Sequence, residues 1–143
     1  MKALLIVIII LVLAITAFLL YVYFIITDLG PQVKVVEVYS SNLEERIFIK
    51  KKNWGLLGND QIIVISKSDD KSFEPDSTKE YIFKGLSPFF YNFKNDTLNL
   101  YIEKESNVPS ELFFKIKINQ ILLSNLKLME LYSNYKEKGL KKL

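Results

Sequence analysis

The chain has 143 residues, 19 basic against 16 acidic side chains for a net charge of +3, and neither Cys nor His. Without Cys there is no disulfide, thiolate metal site or cysteine nucleophile, and without His the commonest general base and metal ligand are gone. The near-even charge balance is that of an ordinary solvated surface and argues against nucleic acid as a partner.

Ala3 to Ile26 is an apolar run with no charge. As a helix it spans roughly 36 Å, more than the ~30 Å hydrocarbon core of a bilayer. Lipid offers no hydrogen bonds, so a single segment satisfies its backbone there only as a helix. The run is longer than the 7–15 apolar residues of a signal peptide, and Ala14 and Thr16 make a poor cleavage site inside it. Residues 1–27 are therefore expected to be an uncleaved transmembrane signal anchor that touches the bilayer through residues 3–26. Tyr21, Tyr23 and Phe24 suit an interfacial aromatic belt. Lys2 before the run and Asp28 after it favour a cytoplasmic N-terminus and a domain in the periplasm.

Gly30-Pro31 ends the helical pattern, and residues 28–32 read as a linker of at most about 17 Å. From Val33 the pattern alternates. Strands are expected over Val33–Tyr39, Arg46–Lys52, Gln61–Lys67, Lys79–Lys84, Pro88–Lys94, Thr97–Glu103 and Leu112–Leu122. Gln61–Lys67 is apolar on both faces, as a strand covered on both sides should be. Asn95-Asp96 tolerates positive φ and sits between two alternating runs, which predicts a two-residue hairpin. Ser66–Thr78 reads as a long polar, mobile loop. Near the end, Leu128, Leu131, Tyr132 and Tyr135 repeat with helical period, predicting a helix over about 126–138. Ser124 or Asn125 would cap its start, Gly139-Leu140 would close it, and a basic tail follows. The expected fold is one transmembrane helix plus a small mainly-β domain over 33–143. That domain has about seven antiparallel strands in a sandwich or barrel, and a C-terminal helix.

Few residues stand out for chemistry. Asp69, Asp70, Glu74 and Asp76 share one loop but lack the alternating ligands and central Gly of a calcium site, so no metal site is assigned. Ser68/Lys71, Ser124/Lys127 and Ser133/Lys136 have Ser-x-x-Lys spacing without companion motifs, so no catalytic residue and no cofactor is assigned either. The candidate contact loop is Lys50, Lys51 and Lys52 with Trp54, Leu56 and Leu57. Lysines there suit anionic headgroups. A turn does not need a tryptophan and two leucines, so Trp54 is expected to plug the end of the domain while Leu56 and Leu57 stay exposed.

Arg46-Ile47-Phe48-Ile49-Lys50, Trp54-Gly55-Leu56-Leu57-Gly58, Gln61-Ile62-Ile63-Val64-Ile65-Ser66 and the Asn134-Tyr135-Lys136…Gly139-Leu140-Lys141-Lys142 ending follow the anchor in that order. In this arrangement the chain resembles short membrane-anchored envelope proteins of Bacteroidota. The resemblance implies a bacterial inner-membrane location and supplies neither activity nor site residues. The expected role is a non-enzymatic binding or accessory module with an envelope protein as partner. The alternatives are an immunity-type inhibitor near the inner membrane and an envelope hydrolase using carboxylates or a Ser–Lys pair.

Overall fold

In the computed structural model, which describes residues 2–28, 31–55, 60–85, 87–111 and 113–143, the apolar run is one helix, α1 (Lys2–Asp28). Its segment Ile6–Phe24 is long and apolar enough to cross a membrane, and none of it is buried in the protein. The hydroxyl of Thr16 donates to the carbonyl of Val12, one turn back, at 2.6 Å, so it needs no outside partner.

The rest is two four-stranded sheets face to face. The first is a meander of β1 (Gln32–Ser40), β2 (Glu45–Trp54), β3 (Asp60–Ser66) and β4 (Tyr81–Lys84), each antiparallel to the next. The second contains β5 (Phe90–Lys94), β6 (Thr97–Ile102), β7 (Lys117–Leu122) and β8 (Lys141–Lys142), in the order β7-β6-β5-β8. Ile47, Ile49, Ile63, Ile65, Tyr81 and Phe83 of the first sheet pack against Phe89, Tyr91, Leu98, Leu100 and Ile102 of the second. These are the alternating positions of the sequence, and a buried inner face is what their period of two requires.

Part of each outer face is also covered. Ile62 and Val64 look away from the sandwich core, and Phe73, from the long polar segment after β3, lies over them. That segment is pinned by local turns, with the amides of Asp70 and Ser72 donating to Ser68 Oγ and Asp70 Oδ1 at 3.1 and 2.9 Å. On the far side, α2 (Asn125–Asn134) sets Leu128 and Leu131 on Phe90, joined by Leu140. Ser124 caps α2 by accepting from the Lys127 amide. After the helix, Gly139 takes φ +68°, and the amides of Leu140 and Gly139 donate to the carbonyls of Tyr135 and Lys136 at 2.8 and 3.0 Å. This is a Schellman closure with Leu140 as its apolar clamp.

Several expectations need correcting. The described strands number eight, in two separate sheets. β6 and β7 run parallel, because residues 103–116 cross over and bring β7 in from the same end as β6. β7 begins at Lys117, although Phe114 and Ile116 still reach the core. The helix expected over 126–138 is Asn125–Asn134 followed by turns, and the expected basic tail is β8, paired with Phe90 and Tyr91 of β5, with Leu143 buried after it. α1 includes Asp28 and β1 starts at Gln32, and residues 29–30 of the expected linker lie outside the described residues. The Asn95-Asp96 hairpin forms as expected, both residues at positive φ (50° and 56°).

Candidate functional site

The strand register decides which residues share the end of the domain nearest α1. Gln32 pairs with Asn53, Trp54 with Asp60, and Ile62 with Lys84. Gln32 is four residue steps past Asp28, a reach of at most about 14 Å. The start of β1, the end of β2, the start of β3 and the end of β4 therefore all lie at the anchor-proximal end of the first sheet.

This register also sorts the charges. The proximal half of the first sheet carries Lys34, Lys50, Lys51, Lys52 and Lys84 against Asp60 alone. The distal half, with its β1–β2 turn, carries Glu37, Glu44 and Glu45 against Arg46. Lys34 and Lys51 stand directly opposite each other, an unfavourable like-charge pair. Burial first, then the nearby charges of Lys142 and Lys34, push Lys51 below the usual lysine range. Among the described residues no Asp or Glu side chain forms an ion pair with Lys34, Lys51, Lys52 or Lys84.

The predicted contact loop is only partly brought together. Lys50 is 5% exposed on the outer face beside Val64, covered by the segment after β3, its ammonium 3.7 Å from Glu80 and 5.9 Å from the centre of the Phe73 ring. Buried and neutralised, it is not a contact residue. Lys51 points to the other face and donates to the main-chain oxygen of Leu143 at 3.4 Å. Lys52 shares the outer face with Lys50, its ammonium 5.6 Å from the centre of the same ring. Trp54 is 39% exposed and belongs to none of the core clusters, so it is not a plug. It stands at the rim of a cleft of about 380 Å³ lined by Pro31, Lys52, Ile62, Phe73 and Pro75. The plug expectation fails because β2 runs on to Trp54 itself, so the indole ends the strand instead of folding under it. Leu56 and Leu57 lie outside the described residues.

A second cleft, of about 350 Å³, gathers carboxylates: Glu74, Asp76 and Glu80, with Lys67, Lys79 and Phe114. A general acid there would need a carboxyl held up near neutral pH. Asp76 goes the other way, to about 2, because the Thr78 hydroxyl and amide and the Lys79 ammonium all donate to it. Glu80 accepts from the Asp76 amide at 2.9 Å and faces Lys50. The Ser–Lys pairs are likewise in structural use: Ser68 accepts in a turn, Ser124 caps α2, and Ser133 donates to the Glu130 carbonyl at 2.8 Å. Asp70 and Asp76 each serve their own turn, and among the described residues no group of three or more acidic side chains could hold a metal ion.

Sequence reasoning missed Glu45, which is 8% exposed and bridges the two sheets. It also missed the charge sorting, which the whole-chain balance hides. The only signal in the sequence was the Lys50-Lys51-Lys52 run itself. The chain matches no protein-family model, no curated protein and no solved structure.

Proposed function

We propose that the protein is a single-pass membrane protein of the bacterial envelope whose β-sandwich is a non-enzymatic binding or accessory module for another envelope component. One observation carries the reading: Ile6–Phe24, nineteen residues, is uncharged and strongly apolar, and none of it is buried by the rest of the chain. Water would not tolerate that much exposed apolar surface, whereas a bilayer matches it in length and chemistry. The non-enzymatic part is supported by the polar groups suited to catalysis, which are spent on turns, caps and ion pairs. Lys2 and Asp28 favour a periplasmic domain.

Fractionation of a bacterium expressing the full chain tests this. The protein should stay with membranes through an alkaline carbonate wash, and protease added to spheroplasts should digest the sandwich. A product released by the wash would overturn the anchor. A domain that survives protease until the membrane is permeabilised would reverse the orientation.

A further inference from the structure

We propose that the anchor-proximal end of the first sheet is a second membrane contact, which docks Trp54, Lys34, Lys52 and Lys84 on the anionic headgroups of the bilayer that holds α1. The inference rests on the anchoring reading above. It draws on three independent features of the fold.

The first is distance. Gln32 is four residues past α1 and opposite Asn53, which places Lys34, Lys52 and Trp54 within two residues, or about 7 Å of strand, of that level. A cationic segment attracts an anionic leaflet only within about a Debye length, near 8 Å at physiological salt. The chain path keeps these groups near that range. The distal acidic end, by contrast, is most of a strand length away.

The second is charge. Val33, Lys52, Ile62 and Lys84 form one row across four strands and share the outer face, so Lys52 and Lys84 stand two strands apart, roughly 10 Å. Lys34 lies one row further along β1, on the opposite face of the edge strand with Lys51, so the cations meet at the end of the sheet and not on one face. Lys34 and Lys84 are exposed, Lys52 is half-buried, and none is neutralised by a described carboxylate. A sheet built for stability alone has no reason to collect these cations at one end and place Lys34 opposite Lys51. An anionic surface supplies the missing counter-charge.

The third is Trp54. Its ring is partly covered by the Phe73–Pro75 cleft and partly exposed at the tip of β2. An indole with one apolar side and a free N–H is the side chain that settles at the headgroup level of a bilayer. Two contacts, one transmembrane and one peripheral, would fix the sandwich with its distal end outward. The distal hairpin tips, at Asn42 and Asn95, would then face away from the lipid.

Trp54 is the only tryptophan, so its emission reports on this one place. The full chain is reconstituted in nanodiscs of phosphatidylcholine alone and of phosphatidylcholine mixed with phosphatidylglycerol. In the anionic discs Trp54 should emit further to the blue, be quenched by lipids brominated near the headgroup, and be shielded from acrylamide. Salt should reverse all three as the Debye length falls to about 3 Å at 1 M. Each of Lys34→Gln, Lys52→Gln and Lys84→Gln should lower the docked-to-free ratio roughly fivefold. Identical emission and acrylamide quenching in the two kinds of disc, with the chain retained in both, overturns the docking and leaves the anchor standing. Shielding that is equal in both and indifferent to salt assigns Trp54 to a purely apolar contact and also overturns it. A chain that does not stay with either disc removes the anchor, and this proposal with it. The salt titration uses the wild-type chain, so a variant that fails to fold does not block the test.

Discussion

Glu45 Oε2 accepts the amide of Ile116 at 2.7 Å, joining the first residue of β2 to the segment that leads into the opposite sheet. The Lys115 amide donates to the same oxygen at 2.6 Å, and Lys67 sits 2.9 Å from Oε1. Burial alone would raise this carboxyl, but the Ile116 amide, Lys67 and the Lys115 amide together hold it below its ordinary value of 4.5. A carboxyl that is more acidic folded than unfolded stabilises fully above the unfolded pKa and loses that contribution as pH falls through the folded one. Urea midpoints should therefore drop as pH is lowered below about 4.5. Glu45→Gln should cost roughly 1–3 kcal/mol at neutral pH and flatten this acid limb. An acid limb unchanged in the variant would assign it to other carboxylates.

Ser40, 1% exposed, donates to Asp96 Oδ1 at 2.5 Å, and Asn42 donates to Oδ2 at 3.0 Å. The tips of two hairpins from different sheets are thus tied at the distal end. Asp96→Ala removes both bonds and places a residue less tolerant of positive φ at the turn, so a lowered urea midpoint is expected. Asp96→Asn keeps the backbone preference and should lose less. Equal losses in the two variants would locate the effect outside the backbone.

Phe73 is the buried aromatic side chain that packs on Ile62 and Val64, and it holds φ at +57°. A bulky residue stays in that region only when its packing outweighs the strain. Phe73→Ala should cost roughly 3 kcal/mol and shift Trp54 emission, because both rings border one cleft. An unshifted thermal midpoint would mean that the segment after β3 does not cover the sheet in solution.

α2 offers a paired comparison on one element. Leu128 is fully buried against Phe90, whereas Leu126 is 73% exposed. Leu128→Ala should cost about 2–5 kcal/mol and Leu126→Ala less than about 0.5 kcal/mol. Gly139→Ala adds strain at φ +68° and should cost about 1 kcal/mol. If the two leucine variants match, α2 is not seated on the second sheet.

Trp54→Ala should cost about 1 kcal/mol, well short of the 3–5 kcal/mol of a core aromatic, since the ring is at a rim. A loss in the core range would return Trp54 to the role of a plug.

What the sequence made legible follows from period. Leu98, Leu100 and Ile102 announce themselves because one face of β6 is buried and the other is not. Ile62 to Ile65 read as doubly covered because the strand is. Phe73 has no periodic partner, so a lone aromatic in a polar segment carries no sign that it will close a face. The two residues of β8 are too few to have a period at all. Alternation is the same in parallel and antiparallel ladders, so the β6–β7 pairing is silent until residues 103–116 are traced. The candidate site was half legible: the lysine run is visible in the sequence, but that Lys50 is covered by the segment after β3 while Lys84 joins Lys52 depends on register and on that segment's path.

The pairing of β8 with β5 has a bearing on biosynthesis. Leu143 belongs to the main core, and its amide donates to the Phe89 carbonyl at 3.1 Å. A ribosome makes Phe90 some fifty residues earlier, which at about 5–20 residues per second is roughly 3–10 s. Throughout that interval the first sheet can assemble as hairpins, but β5 has no partner on its β8 side, and Phe90 lacks Leu140, the last of its covering side chains. The nascent chain therefore carries an open strand edge on β5 until the last residues of β8 emerge.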